Sequence, residues 1–221
     1  MHADNIPRTF LSLVTLLYLL LASHASIAAS TQAASLVSTV PTPVISFHPE
    51  TTSSYFINSQ MLFIEDPEHV ESINTITTNP NWKEIKRSSP NFGFTATAYW
   101  FKFQINNISD TVQPIYLELP IPFLDSIQIY QTFKRKVINS HDVGDQYPFE
   151  QRPIIHQNFV MPFELVPGIN EMYMRVASAG TVEAPLTLWT PAAHAKHSSD
   201  TNLTQGIWFG ILGIMVVYNF L

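Results

Sequence analysis

From residue 98 onward, apolar and polar positions alternate with a period of two. In residues 98–106, Tyr99, Phe101, Phe103 and Ile105 share one face, and Lys102, Gln104 and Asn106 share the other. That is the signature of a half-buried strand. Residues 107–110 predict a turn. The same period recurs in Ile115/Leu117/Leu119, Ile127/Ile129, Phe159/Met161/Phe163/Leu165, Met172/Met174/Val176 and Leu186/Leu188, with Pro167-Gly168 as a strand end. Upstream, residues 61–66 read as a short apolar strand stopped by Pro67. A short helix is predicted over 68–76, with Asp66 as N-cap, Pro67 at the first helical position, and Val70 and Ile73 inward. At least seven strands separated by turn signals, with little helix, predict an all-β chain. The expected fold is a jelly-roll-like antiparallel β-sandwich rather than a set of βαβ units.

Two apolar runs bracket this sandwich. Residues 10–22 follow a short polar start with one Arg and precede small residues, with Ser23/Ala25 and Ser26/Ala28 as small-x-small sites. Residues 1–28 are read as a signal peptide, with an uncleaved anchor as the alternative. Residues 206–221 carry no charge. A spanning helix needs about 20 apolar residues, so this run is expected to be the start of a first transmembrane helix, truncated at Leu221. Between them lie a flexible Ser/Thr/Ala/Pro-rich leader at 29–58, the sandwich at 59–191 and a polar juxtamembrane linker at 192–205.

Composition narrows the class. The net charge is −6, and the only basic cluster is Lys134-Arg135-Lys136, which fits a solvated hairpin tip. Nucleic acid is therefore not an expected partner. The chain has no cysteine, so an exported domain of this size relies on packing rather than disulfides. No nucleophile motif, phosphate loop or His-Glu-x-x-His is present, so no catalytic residue and no cofactor are expected. His194 and His197 sit three residues apart with no further ligand nearby in sequence; they are read as linker residues and no metal is expected. Asn107-Ile108-Ser109 and Asn202-Leu203-Thr204 are glycosylation sequons.

The densest chemistry lies in residues 144–159. Asp145, Tyr147, Phe149, Arg152 and His156 are the candidate ligand-binding residues, since loops on a rigid sandwich gather binding groups. Arg152 suits a carboxylate or phosphate, and Tyr147 and Phe149 offer stacking faces. The structural alternative is that Arg152 pairs with Asp145 or Glu150 to tie down the loop, and that His156 is a satisfied sheet-edge histidine. Trp82, Trp100 and Trp189 are read as core or rim anchors rather than sugar platforms. An exported hydrolase using Glu150 with Asp145 is a further class, which would need a defined carboxylate separation.

Several stretches, in order, resemble a known family. Phe92-Gly93-Phe94-Thr95-Ala96-Thr97-Ala98-Tyr99-Trp100-Phe101-Lys102-Phe103 resembles its first strand, and residues 106–110 the turn after it. Leu117-Glu118-Leu119 and Phe123-Leu124-Asp125 match the next pair. Gly144-Asp145, Pro148-Phe149, Arg152-Pro153 and His156-Gln157-Asn158-Phe159-Val160 resemble its most characteristic stretch. Val176-Ala177-Ser178-Ala179-Gly180 and Pro185-Leu186-Thr187-Leu188-Trp189 resemble its last strands, and residues 206–221, ending Tyr218-Asn219-Phe220-Leu221, the start of its first membrane helix. The chain is similar to the extracellular sensor domain (7TMR-DISM extracellular domain 2) of bacterial seven-transmembrane receptors with diverse intracellular signalling modules. The resemblance implies a jelly-roll sandwich akin to carbohydrate-binding modules, displayed in the periplasm from the inner membrane. It also implies a small ligand, such as a saccharide or carboxylate, and a diguanylate cyclase or histidine kinase output that this chain lacks. The alternative function is a membrane-tethered carbohydrate-binding or adhesion module without signalling. A homodimer is expected only because many membrane receptors signal as dimers; no residue argues for it.

Overall fold

The computed structural model describes residues 40–86 and 89–220. The signal-peptide reading of 1–28 and the first part of the predicted leader lie outside the described residues. In chain order the elements are β1 (Val44–Phe47), β2 (Ser54–Phe56), β3 (Leu62–Asp66), α1 (Ile73–Ile76), β4 (Lys83–Glu84), β5 (Asn91–Phe94) and β6 (Ala98–Asn107). They continue with β7 (Gln113–Leu119), β8 (Ser126–Phe133), β9 (Lys136–Val143), β10 (Phe159–Leu165), β11 (Gly168–Ala177), β12 (Thr181–Glu183), β13 (Thr187–Trp189) and α2 (Pro191–Phe220).

Two sheets make the sandwich. One runs β4-β3-β6-β11-β8-β9, with β1 added in parallel to the far half of β6; the other runs β10-β7-β13-β2. A two-stranded β12-β5 ribbon stands beside them. The inward faces predicted from the period of two meet in one core. Tyr99, Phe101, Phe103 and Ile105 of β6 pack with Leu117 of β7, Met161 and Phe163 of β10, and Met172 and Met174 of β11. A second cluster lies on the other face of the larger sheet, where Trp82, Leu62, Ile64, Ile76, Trp100 and Tyr173 pack together. Trp100 and Trp82 are thus core anchors, buried at 1% and 8% exposure.

Three turns show why the chain reverses where it does. Lys134 and Arg135 both have positive φ and form the two-residue tip between β8 and β9, as their charge suggested; such tips need left-handed residues to match the strand twist. Asn107 is buried, donates to the Thr111 and Leu165 carbonyls, and accepts from the Ser109 amide and hydroxyl. Its sequon is therefore occupied by the fold. Buried Asn170 donates to the Val166 and Gly168 carbonyls and accepts from the Val166 amide and Gln131, which pins the β10–β11 turn.

The structure corrects three expectations. The leader at 29–58 is not flexible throughout: Ile45 and Phe47 are buried, β1 pairs with β6, and β2 pairs with β13. The reason is a short alternating run, Val44-Ile45-Ser46-Phe47, masked by its Ser/Thr/Pro surroundings. The helix predicted over 68–76 shrinks to Ile73–Ile76, capped by Ser72. Asp66 does accept from the Val70 and Glu71 amides, but Val70 is 74% exposed and Ile76 takes the inward position. The stretch read as a linker is helical from Pro191 and continuous with the apolar run. Thr190 starts it, accepting at Oγ1 from the Ala193 amide, with Pro191 at the first helical position.

Candidate functional site

The loop between β9 and β10 begins at Gly144, and the residues after it close onto the segment just before β8: the Asp145 amide donates to the Leu124 carbonyl at 2.8 Å and the Gln146 amide to the Asp125 carbonyl at 3.3 Å. Asp145, Tyr147 and Phe149 are exposed, while Arg152 and His156 are half-buried. Arg152 organises the loop. Its guanidinium lies 4.7 Å from the Phe149 ring centre and 4.4 Å from that of Phe159, and Nη1 donates to the His156 and Gln157 carbonyls at 2.8 and 3.0 Å. Neither Asp145 nor Glu150 forms an ion pair with it among the described residues. Phe149, Arg152 and His156 are therefore brought together; Asp145 and Tyr147 stand apart on the open rim.

His156 joins this loop to α2. Its Nδ1 accepts from the Asn158 amide at 3.1 Å, and its Nε2 meets the Ser198 hydroxyl at 3.1 Å. Next to it, Asn158 Nδ2 donates to Glu118 Oε1 at 2.6 Å. Glu118 Oε2 lies 4.0 Å from His194 Nε2, too far for a hydrogen bond. Glu118 and His194 are both buried, at 5% exposure. Burial pushes the His194 pKa down; the Glu118 carboxylate pulls the other way, and His156 and His197 add to the lowering. At neutral pH the two therefore do not form an ion pair. Aromatic contacts complete the junction: His194 packs edge-on against Tyr116, His156 and Trp189, and His197 stacks on Trp189 with centres 4.8 Å apart.

Sequence reasoning missed Glu118, Ser198 and the partnership of His194. Glu118 stands between Leu117 and Leu119 on an alternating strand, which reads as a solvent-facing position; α2 covers it. A separate groove of about 640 Å³ is lined by Phe63, Lys83, Ile85, Lys86, Phe92 and Tyr99, and no sequence motif marks it.

The chain is similar to three solved structures. A family 35 carbohydrate-binding module from Clostridium thermocellum shares 10% identity, with 63% of this chain and 99% of that one covered and a TM-score of 0.36. A β-glucuronidase from Ruminococcus gnavus, in complex with D-glucaro 1,5-lactone, shares 11%, with 67% and 31% covered and a TM-score of 0.36. CsCBM6-3 from Clostridium stercorarium, in complex with cellobiose, shares 11%, with 68% and 98% covered and a TM-score of 0.27. No curated protein matches the chain. Residues 58–190, which run from the turn after β2 to the residue before α2, match the family model described as 7TMR-DISM extracellular 2. The chain belongs to that family, whose members are extracytoplasmic sensor domains of membrane receptors rather than catalytic domains.

Proposed function

We propose that this sandwich senses a small ligand in the periplasm and passes the signal through α2, across the inner membrane, to a cytoplasmic diguanylate cyclase or histidine kinase. The observation that supports it most is the contact of His156 with Ser198 at 3.1 Å. It ties the candidate binding loop to the first turns of the one described helix that is long and apolar enough to cross a membrane. The exposed Asp145, Tyr147 and Phe149 are the candidate ligand contacts, with a saccharide or a carboxylate as the ligand class. Exposed aromatic rings offer stacking faces that suit a sugar. Arg152 and His156 relay a change in the loop, because Arg152 holds the His156 carbonyl and the His156 ring holds α2. Signalling requires that the ligand favour one arrangement of this junction over the other.

The test is a reporter of the output in the intact receptor, read with and without a panel of mono- and oligosaccharides and of dicarboxylates. A ligand response that Tyr147→Ala or Phe149→Ala weakens, and that Arg152→Ala uncouples, is the expected result. An Arg152→Ala receptor that responds as the wild type does would sink the relay. The reading frame past Leu221 supplies the other check. Six further spans followed by a cytoplasmic domain are expected; a single completed span would leave a tethered binding module.

A further inference from the structure

Where α2 meets the sandwich, Glu118, His156 and His194 each offer one ligand atom, and these atoms lie within 4.8 Å of one another. They come from three separate elements: β7, the β9–β10 loop and the first turn of α2. The arrangement leaves an unmet need at its centre. His194 Nε2 is buried without a hydrogen-bond partner, and it faces Glu118 Oε2 at 4.0 Å. Buried polar atoms are nearly always satisfied, and an orphan calls for an explanation. Buried carboxylates are usually paired or coordinate a metal.

We propose that Glu118, His156 and His194 bind one divalent transition-metal ion of the zinc type, and that this ion fastens the start of α2 to the sandwich. Two imidazoles and a carboxylate form a borderline donor set that favours zinc over magnesium or calcium. Around tetrahedral zinc, ligand atoms about 2.1 Å from the metal lie about 3.4 Å from each other. The 4.0 Å gap between His194 and Glu118 needs only a small inward shift to reach that spacing. Asn158 already holds the other carboxylate oxygen of Glu118, the kind of outer contact that orients a ligand. A neutral imidazole has one lone pair, which His156 Nδ1 uses to accept from the Asn158 amide, so His156 ligates by trading that bond for the metal. Three protein ligands leave the fourth position to solvent. The inference goes beyond ligand sensing and holds whatever the loop binds: the metal would set how firmly α2 follows the sandwich.

The test uses the full chain in detergent micelles, stripped by a chelator and titrated with Zn2+ against a chromogenic competitor. One Zn2+ per chain is expected. His194→Gln and Glu118→Gln should each weaken it by about 100-fold or more, while His48→Ala, on the exposed turn after β1, should leave it unchanged. Saturating Zn2+ should raise the melting temperature of the wild type and not of His194→Gln. Binding well below one equivalent, or equal affinity in His194→Gln, overturns the proposal. Should the variants not fold, Co2+ added to the wild-type chain decides: intense visible bands of a tetrahedral site support it, and the weak spectrum of six-coordinate cobalt overturns it.

Discussion

Gly144 shows how one residue sets the geometry of the β9–β10 loop. A Cβ built there would lie 2.1 Å from the Asp125 carbonyl oxygen and 2.7 Å from its carbon. Both are backbone atoms, so neither can rotate away. Gly144→Ala is expected to cost about 3 kcal/mol, which lowers the melting temperature by roughly 6–12 °C in a domain of this size. Gly168 is the control. It has φ of +91° and nothing within 4 Å of a built Cβ, so Gly168→Ala meets only backbone strain, about 1 kcal/mol. Circular-dichroism melts of the two variants should rank Gly144→Ala well below Gly168→Ala. Equal melting temperatures would mean that the loop does not start against Asp125. Arg152 belongs to the same scale. Its residue type marked the loop as chemically dense, but the sequence could not show that its charge would be spent on backbone carbonyls and two phenylalanine faces.

At the scale of elements, legibility followed burial. Strands with one buried face announced themselves, which is why β6, β7, β8, β10 and β11 were readable from alternation alone. The strand β9 was not: most of its side chains are exposed or half-exposed and only Val143 is buried, so no apolar period exists to read. β1 has only Ile45 and Phe47 to signal it. Three consecutive buried residues at the end of β7, Leu117-Glu118-Leu119, mark a strand covered on both faces, yet covering by α2 is a tertiary fact that no local period encodes. The cluster on the outer face of the larger sheet makes a testable element. Burial, and then the Glu171 carboxylate, push the Tyr173 hydroxyl pKa well up, and burial, followed by Asp142, raises that of Tyr130 against a smaller opposing effect of Arg175. An unfolded tyrosine titrates near 10. Above that value the unfolded chain sheds protons that the folded chain retains. The stability linked to these groups is therefore complete below about pH 10 and is lost as pH rises toward the folded values. Melts between about pH 9 and 11 should show a falling melting temperature, and Tyr173→Phe should flatten the fall.

For the folded unit as a whole, the charge pattern along α2 bears on how the sandwich would stand on a membrane. Its 30 residues make a rod of about 45 Å, while the hydrocarbon core is about 30 Å thick. Even the described part outruns that core, and the composition says which end would stay outside. His194, Lys196, His197 and Asp200 lie in the first turns, and residues 206–220 carry no charge. That end is the part in contact with His156 and Trp189, so under the proposed function the sandwich would sit against the bilayer surface with no flexible spacer between. Under the proposed function, a sensor mounted this way would transmit a shift of its loop as a tilt or rotation of the helix. The absence of cysteine in the chain allows a clean measurement. Ser199 and Leu212 are both exposed on the protein itself, so only a bilayer can make them differ. In intact membranes, Ser199→Cys should react with an impermeant maleimide and Leu212→Cys should not, while both should react once the chain is denatured in detergent. Equal labelling before denaturation would remove α2 from the membrane, and with it the rigid mounting on which the relay from His156 depends.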